Sequence, residues 1–206
     1  KHLGGHTFGG YSSGIVVDEA FTLRVPKGLD LAATAPLLCA GITTYSPLRH
    51  WKVGPGQKVG IVGLGGLGHM GVKVAVAMGA DVTVLSHSPH KKDDALAMGA
   101  HHFIATDDES VFTTHAKSFD VILNTVSAEI DIDKYISLLK LNGTLVVIGL
   151  PGKPYAVNVG TLLNGRRGIA GSMIGGIPEL QEMLDFCGEK NIVSDVEVIK
   201  ADYINE

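Results

Sequence analysis

The sequence has few cysteines, few aromatic residues and no excess of positive charge. Two cysteines, Cys39 and Cys187, occur among 206 residues, and aromatic residues make up 6%. Two cysteines do not make the disulfide framework of a small secreted domain, and a chain of this length buries enough apolar surface without one. A net charge of −4 gives no basic surface of the kind that nucleic-acid binding needs, so we expect no nucleic-acid partner.

Long hydrophobic runs are also missing. Hydrophobic residues form 45% of the chain. Gly, Asp, Lys or His nevertheless interrupts every apolar stretch before it reaches the ~18 residues of a membrane span. Residues 1–6 lack the apolar core of a signal peptide. We therefore expect a cytoplasmic protein without a membrane partner.

The residue in excess is glycine, with 27 copies. They show no collagen-like period, so we expect each glycine to serve a local requirement of the backbone. Residues 57–172 alternate short β-rich runs with stretches that suit helices, such as 67–78, 91–98 and, more weakly, 133–139 before a turn at Asn142-Gly143. This alternation predicts an α/β fold, a doubly wound parallel six-stranded Rossmann sheet. The predicted strands are residues 58–62, 81–85, 102–104, 119–124, 144–148 and 168–172.

The two ends of the chain have different patterns. Residues 11–17 and 21–25 are β-rich with no helix between them, which predicts part of an antiparallel element. Residues 29–45 are apolar and predicted to be helical at their start. Residues 178–189 predict an amphipathic helix that opens with proline, and residues 196–199 predict a short strand.

The run Gly63-Leu64-Gly65-Gly66-Leu67-Gly68 matches the pattern G-x-G-x-x-G between the first predicted strand and its helix. In that context the first glycine allows a tight turn, the second lets the backbone approach a pyrophosphate, and the third lets helix and strand pack closely. The free N–H groups of the helix N-terminus would then face the phosphates. The pattern predicts dinucleotide binding, and a methyltransferase of similar topology is the main alternative.

The end of the second predicted strand bears on the choice between NAD and NADP. An NAD site usually carries Asp or Glu there to hold the ribose 2′-OH. This chain instead has Ser86-His87-Ser88-Pro89-His90-Lys91-Lys92, without a carboxylate to repel a 2′-phosphate. The alternative is a solvated cap, but lysines are slightly unfavourable at the start of a helix. The sequence therefore favours NADP.

Further segments of the chain resemble the sequences of one known family. They are Gly9-Gly10-Tyr11-Ser12-Ser13, Pro36-Leu37-Leu38-Cys39-Ala40-Gly41-Ile42-Thr43-Thr44-Tyr45, Asn124-Thr125-Val126-Ser127, Gly171-Ser172-Met173-Ile174-Gly175-Gly176 and Glu197-Val198-Ile199. With the glycine loop and its flanking Val62 and His69, they resemble the zinc-dependent medium-chain alcohol dehydrogenases, within them the cinnamyl alcohol dehydrogenase branch.

The resemblance implies positions for an NADP cofactor. It places the pyrophosphate at the glycine loop, the 2′-phosphate after the second strand and the riboses after the fourth. His87 departs from the serine or arginine expected there. The residues so assigned are Thr43; Gly63, Gly65, Gly66, Leu67 and Gly68; Ser86, His87, Ser88 and Lys91; Thr125, Val126 and Ser127; Gly149 and Leu150; and Ser172, Met173 and Ile174.

Zinc is the second cofactor that the resemblance implies. Cys39 stands where the family places one thiolate ligand of its catalytic zinc, although a lone cysteine is more often an inert buried thiol. We predict that Cys187 is a core residue and that His69 is a packing or cap residue. The other ligands and the proton relay of the family precede Gly9 and have no counterpart here, whereas a zinc site needs about three protein ligands. We therefore expect the chain to be a fragment.

The family resemblance also implies a division of the chain and an activity for the intact protein. Residues 1–29 would be a remnant of the zinc domain, 30–175 the NADP-binding domain, and 176–206 a segment that returns toward the catalytic domain. The intact enzyme would interconvert primary alcohols and aldehydes by zinc-assisted hydride transfer. The alternative is an inert nucleotide-binding module.

The family further implies a homodimer that pairs through the last strand, around residues 169–174, whereas the alternative is a short, protected edge strand.

Overall fold

The computed structural model describes residues 12–205, and six strands within them form one sheet. Every pair of neighbouring strands is parallel, in the order β3-β2-β1-β4-β5-β6. This order confirms the predicted doubly wound sheet. The strands are β1 (Lys58–Val62), β2 (Asp81–Ser86), β3 (His102–Ala105), β4 (Phe119–Asn124), β5 (Leu139–Val147) and β6 (Gly168–Gly171).

Helices connect the strands and precede and follow the sheet. The helices predicted at residues 67–78, 91–98, 133–139 and 178–189 are confirmed near their predicted positions. Two others, of four and five residues, are too short to show a helical period in the sequence. The helices are α1 (Leu31–Thr34), α2 (Ala40–His50), α3 (Gly66–Ala77), α4 (Lys92–Ala97), α5 (Val111–Thr114), α6 (Ile132–Ser137), α7 (Val159–Leu163) and α8 (Ile177–Lys190).

Successive residues of each central strand belong to two different hydrophobic clusters. In β4, Leu123 packs in one cluster with residues of α2, α3 and α8, whereas its neighbour Ile122 packs in the other with residues of α6. Both side chains are fully buried. Because side chains alternate across a strand, the two clusters are the two covered faces of the sheet.

Strand β5 begins earlier than the sequence predicts. It starts at Leu139 and contains Asn142, whose φ of 63° is left-handed. The pairing with β4 shifts register between Phe119 and Val121. The Asn142-Gly143 signal therefore marks an irregularity inside a strand, which the local turn chemistry alone could not distinguish from a loop.

The predicted strands at the two ends of the chain are wrong over the part that the structure describes. Residues 12–25 contain a 3₁₀ turn, Glu19–Phe21, and no strand, and residues 196–199 are not a strand either. The apolar side chains of Val16 and Val198 are 99% and 79% exposed. A β-rich run forms a strand only when another strand pairs with it, and none within residues 12–205 does so. Gly9, Gly10 and Tyr11 lie outside the described residues.

The apolar stretch before the sheet folds as two helices. A 3₁₀ turn, Ala35–Leu38, follows α1, and α2 continues to His50, five residues past the end of the apolar stretch that the sequence predicts to be helical only at its start. Within residues 12–205 no single helix is long and apolar enough to cross a membrane; the pair Leu31–Leu38 and Ala40–His50 meets that length and composition only with a bend of 56° between them.

Candidate functional site

The glycine loop lies where the order of the strands reverses. The chain proceeds from β1 through β2 to β3 on one side, then returns to β4 beside β1 and proceeds outward to β6. The carboxyl ends of all six parallel strands lie at the same edge of the sheet. In folds of this class, ligands bind at that edge and at the point of reversal.

Two of the loop glycines are required by the protein's own packing. Gly63 has a φ of +88°, and a Cβ on it would lie 2.3 Å from Cγ1 of Val126. A Cβ on Gly68 would lie 2.2 Å from the carbonyl oxygen of Gly63. No side chain fits at such distances, so these glycines close the turn between β1 and α3.

The other two glycines face open space. A Cβ on Gly65 or Gly66 would meet no atom within 4 Å, and both residues are exposed. Gly65 is the N-cap of the 12-residue helix α3 and has no side chain to cap it. The N–H groups of the first helical turn therefore point toward an open surface that suits an anion.

The last residue of β2 and the segment after it contain hydroxyl, imidazole and ammonium groups. Ser86 is 5% exposed, and its Oγ accepts a hydrogen bond of 3.2 Å from the N–H of Ser88. His87 is exposed. The Nζ atom of half-buried Lys91 donates a hydrogen bond of 3.0 Å to the carbonyl oxygen of Leu64 in the glycine loop. The structure thus brings this segment and the loop together.

Acidic residues offset the lysines at the start of α4. Lys91 is the N-cap of this helix, and Asp93 and Asp94 lie in its first turn. Carboxylates in the first turn interact favourably with the helix dipole, whereas ammonium groups do not. The two aspartates therefore compensate for the position of Lys91 and Lys92.

The ends of β4 and β5 meet beside the loop. Gly149 donates its N–H to the carbonyl of Asn124 over 3.1 Å, and a Cβ on Gly149 would lie 2.1 Å from the carbonyl oxygen of Val126. Thr125 and Val126 are half-buried, whereas Ser127 is exposed and Leu150 is 77% exposed. The first residues after β4 and β5 therefore lie against each other at the edge of the sheet.

The residues after β6 are largely exposed. The N–H of Ser172 donates to the carbonyl of Val147 over 3.1 Å, which continues the pairing of β6 with β5. Met173 and Ile174 are 76% and 55% exposed. Ile174 has a φ of 48°, a left-handed conformation that is costly for a β-branched residue and therefore marks a constrained position.

Thr43 and Cys39 precede the sheet and share one turn of backbone. The N–H of Thr43, in α2, donates to the carbonyl of Cys39 over 3.0 Å, and Thr43 is 7% exposed. Cys39 is exposed and free. No group of three or more His, Cys, Asp or Glu side chains among residues 12–205 is arranged to hold a metal ion. The described residues therefore do not make a zinc site by themselves.

Two further titratable side chains, Cys187 and His69, are buried at least in part. Cys187 is buried against Sδ of Met183, and burial raises the pKa of its thiol to about 12, so it stays protonated at neutral pH. His69 lies in the first turn of α3, and its Nε2 is buried without a hydrogen-bond partner in the described part of the chain.

Two contributors to the site could not be found from the sequence. Leu64 provides its carbonyl to Lys91, and Tyr155 accepts a hydrogen bond of 3.1 Å from Nδ2 of the fully buried Asn124. Tyr155 lies in the connection between β5 and β6, 31 residues from Asn124. No local pattern signals a contact across that separation.

The fold and the glycine loop define a Rossmann-type domain with an open, uncapped helix N-terminus at the reversal of strand order. The sequence pattern of one family, described as zinc-binding dehydrogenase, matches residues 66–189. The chain therefore belongs to the zinc-binding dehydrogenase family.

Individual relatives agree with this assignment. The chain is 60% identical over 200 residues to NADP-dependent alcohol dehydrogenase C 1 of Mycolicibacterium smegmatis, which covers 97% of this chain and 57% of that protein. A cinnamyl alcohol dehydrogenase from Sorghum bicolor superposes with a TM-score of 0.89 at 43% identity, over 92% of this chain and 54% of that one. CAD from Helicobacter pylori, complexed with NADP(H), superposes with a TM-score of 0.83 at 45% identity, over 93% and 55%. The chain thus spans little more than half the length of these proteins.

Proposed function

We propose that this chain is the nucleotide-binding part of an NADP-dependent oxidoreductase that interconverts primary alcohols and aldehydes by zinc-assisted hydride transfer. The observation that carries the proposal is the open glycine turn at the N-terminus of α3, with Lys91 beside it and no carboxylate at the end of β2. The names of the M. smegmatis and H. pylori relatives, which include NADP, support the same cofactor.

The residues at the edge of the sheet fit a dinucleotide. The pyrophosphate would lie over Gly65 and Gly66, where added side chains would meet no protein atom, with Gly63, Leu67 and Gly68 shaping the turn. The remaining residues would be distributed along the cofactor: Ser86, His87, Ser88 and Lys91 at the 2′-phosphate, Thr125, Val126 and Ser127 at the riboses, and Thr43, Gly149, Leu150, Ser172, Met173 and Ile174 toward the nicotinamide.

The chemistry of this chain is binding and orientation. Bound NADP would supply a hydride donor or acceptor at C4 of its nicotinamide. The N–H groups of the first turn of α3 would neutralise the pyrophosphate, and the Lys91 ammonium would pair with the 2′-phosphate. The exposed side chains of Met173 and Ile174 would exclude water from one side of the nicotinamide.

Zinc does not fit the described residues alone. A catalytic zinc needs about three protein ligands, and residues 12–205 offer no such group. We propose Cys39 as one thiolate ligand, because it is exposed and one helical turn from Thr43. The other ligands would lie outside the described residues, so we derive no step through the metal.

Fluorescence titration with NADPH and NADH tests the proposed cofactor. We expect the chain to bind NADPH more tightly, and Ser86→Asp to weaken NADPH binding by tenfold or more, on the order of 1.4 kcal/mol, because the carboxylate would face the 2′-phosphate. Asp keeps an acceptor for the Ser88 N–H. Ser118→Asp, which adds the same charge before β4 at the opposite edge of the sheet, is the matched control. Unchanged NADPH binding by Ser86→Asp would show that the 2′-phosphate pocket is wrongly placed.

A second candidate function is a nucleotide-binding module without turnover. The lack of a three-ligand group in residues 12–205 favours it for this chain in isolation. The chain should then bind NADPH and yet show no aldehyde-dependent oxidation of NADPH when zinc is added. Turnover would contradict this view of the missing ligands. Preference for S-adenosylmethionine over NADPH would instead identify a methyltransferase.

We also propose that the protein is a cytoplasmic homodimer that pairs through β6. Within the described residues β6 pairs with β5 alone, and Ile169 is 36% exposed on it. An edge strand with free N–H and C=O groups is a template for pairing with a second copy. Light scattering of the purified chain should give twice the monomer mass, and Ile169→Pro should reduce it to that of a monomer. The unpaired cysteines support a reducing compartment.

We propose three parts for the chain: residues 1–29 from a catalytic domain, 30–175 as the nucleotide-binding domain and 176–206 as a segment that returns to the catalytic domain. Helix α8 in the third part contributes Met183, Leu184 and Cys187 to the cluster that covers one face of the sheet. Limited proteolysis should therefore remove residues before α1 and after α8 first and leave α8 attached.

A further inference from the structure

Thr125 is the first residue after β4, and it makes two hydrogen bonds to the last carbonyl of β1. Its Oγ1 donates to the carbonyl oxygen of Val62 over 2.7 Å. Its backbone N–H donates to the same oxygen over 3.2 Å. Val62 is the residue directly before the glycine loop, so Thr125 holds the backbone at the point where the loop begins.

The hydroxyl of Thr125 also lies close to both Gly63 and Gly68, the glycines at the two ends of the loop. A Cβ on Gly63 would lie 3.2 Å from Thr125 Oγ1, and a Cβ on Gly68 would lie 3.4 Å from it. Cγ1 of the neighbouring Val126 would lie 2.3 Å from the same Cβ on Gly63. The side chains of Thr125 and Val126 thus occupy the space beside the Cα atoms of Gly63 and Gly68 and pack directly against the loop.

Although Thr125 lies in the segment proposed to line the riboses, the single proton of its hydroxyl is directed to Val62 and is not free to donate to a ribose. We infer that Thr125 is a positioning residue, which acts on the dinucleotide through the loop and holds the first turn of α3 open for the pyrophosphate. This inference rests on the proposed function. A loop held in its binding conformation before the ligand arrives loses less entropy on binding.

Two substitutions separate the hydroxyl from the shape of the side chain. Thr125→Val keeps the shape and removes the donor, whereas Thr125→Ser keeps the donor. We expect the valine variant to bind NADPH about fivefold to tenfold more weakly, as for the loss of one hydrogen bond, and the serine variant to stay within about twofold of the wild type. If the valine variant does not fold, Thr125→Ala removes the same hydroxyl without valine's branched shape and should give the same loss.

The ligand for comparison is adenosine 2′-monophosphate, which carries the 2′-phosphate but no pyrophosphate. Because Thr125 acts through the phosphate loop, the wild type and Thr125→Val should bind adenosine 2′-monophosphate with the same affinity. Thr83→Val is the matched control, since Thr83 is a threonine of β2 that is 6% exposed and away from the loop. It should leave both affinities unchanged.

The outcomes are distinguishable from those for the proposed function. A wild-type chain that binds neither NADPH nor NADH would overturn the proposed function. A wild-type chain that binds NADPH, together with a Thr125→Val variant that binds it equally well, would overturn the positioning role alone. An equal loss of affinity for adenosine 2′-monophosphate and for NADPH in Thr125→Val would also overturn the positioning role, because the effect would then be a general disturbance of the fold.

Discussion

The ammonium group of Lys91 donates a hydrogen bond of 3.0 Å to the main-chain carbonyl oxygen of Leu64. The bond joins the 3₁₀ turn Pro89–Lys91, after β2, to the glycine loop after β1, across 27 residues of sequence. Hydrogen bonds with a charged donor are stronger than neutral ones. Lys91 is therefore held beside the loop, where it would meet a nucleotide with a 2′-phosphate.

Replacement of Lys91 by methionine tests both of its contacts. We expect Lys91→Met to weaken NADPH binding by about 10- to 100-fold, since a hydrogen bond to a charged group contributes about 1.5–3 kcal/mol. NADH has no 2′-phosphate, so its binding should weaken by a smaller factor. That smaller factor reports the lost hydrogen bond to Leu64. Isothermal titration calorimetry measures both. Lys92→Met removes the next, exposed ammonium and is the control; an equal effect there would mean that only the general charge matters.

The glycines of the loop should divide into two groups when each is replaced by alanine. Gly68→Ala should lower the free energy of unfolding by about 1–3 kcal/mol, because the new methyl collides with the Gly63 carbonyl. Gly65→Ala should leave stability within about 0.5 kcal/mol but weaken NADPH binding, because its methyl enters open space. Urea unfolding and NADPH titration measure the two effects. Equal losses of stability would show that both glycines serve packing alone.

The fully buried Leu123 of β4 should be essential for stability. Leu123→Ala should lower the free energy of unfolding by about 2–5 kcal/mol through lost apolar burial and a residual cavity. Leu163→Ala removes the same atoms from a side chain that is 74% exposed and should change stability by less than about 0.5 kcal/mol. Urea unfolding compares them. A small effect at Leu123 would contradict the position of β4 at the centre of the sheet.

The buried thiol of Cys187 should make stability fall at alkaline pH. Burial raises its pKa from 9.0 to about 12. Between those values the unfolded chain loses the proton and the folded chain keeps it, so the contribution to stability is complete below pH 9 and falls by up to about 1.4 kcal/mol per pH unit above it. Under reducing conditions, the free energy of unfolding of Cys187→Ala should therefore decrease less from pH 9 to 11 than that of the wild type. Parallel curves would contradict a buried, protonated thiol.

A simpler readout distinguishes the two cysteines. Cys39 is exposed and should react with a thiol reagent in the folded chain, whereas Cys187 should react only after unfolding. The order of labelling, followed by mass spectrometry at pH 8, gives the answer. Prompt labelling of Cys187 would show that α8 does not stay packed against α2.

The central sheet could be predicted because its strands are buried on both faces and therefore appear as short continuous apolar runs. Prediction from β-rich composition failed at residues 12–17, 21–25 and 196–199, which have no neighbouring strand within the described residues. Composition indicates that a segment suits a strand, while pairing depends on what lies beside it. The five-residue helix α7 was missed because one turn shows no period.

The sequence by itself determined the alternation of strands and helices, the glycine loop and the lack of a carboxylate after β2, because each of these lies within a few consecutive residues. Only the tertiary structure decided which groups meet at that loop. The bonds from Thr125 to Val62 and from Lys91 to Leu64 join residues 63 and 27 positions apart. Such contacts follow from the order in which the strands assemble, and that order is set by packing over the whole sheet rather than by any local pattern.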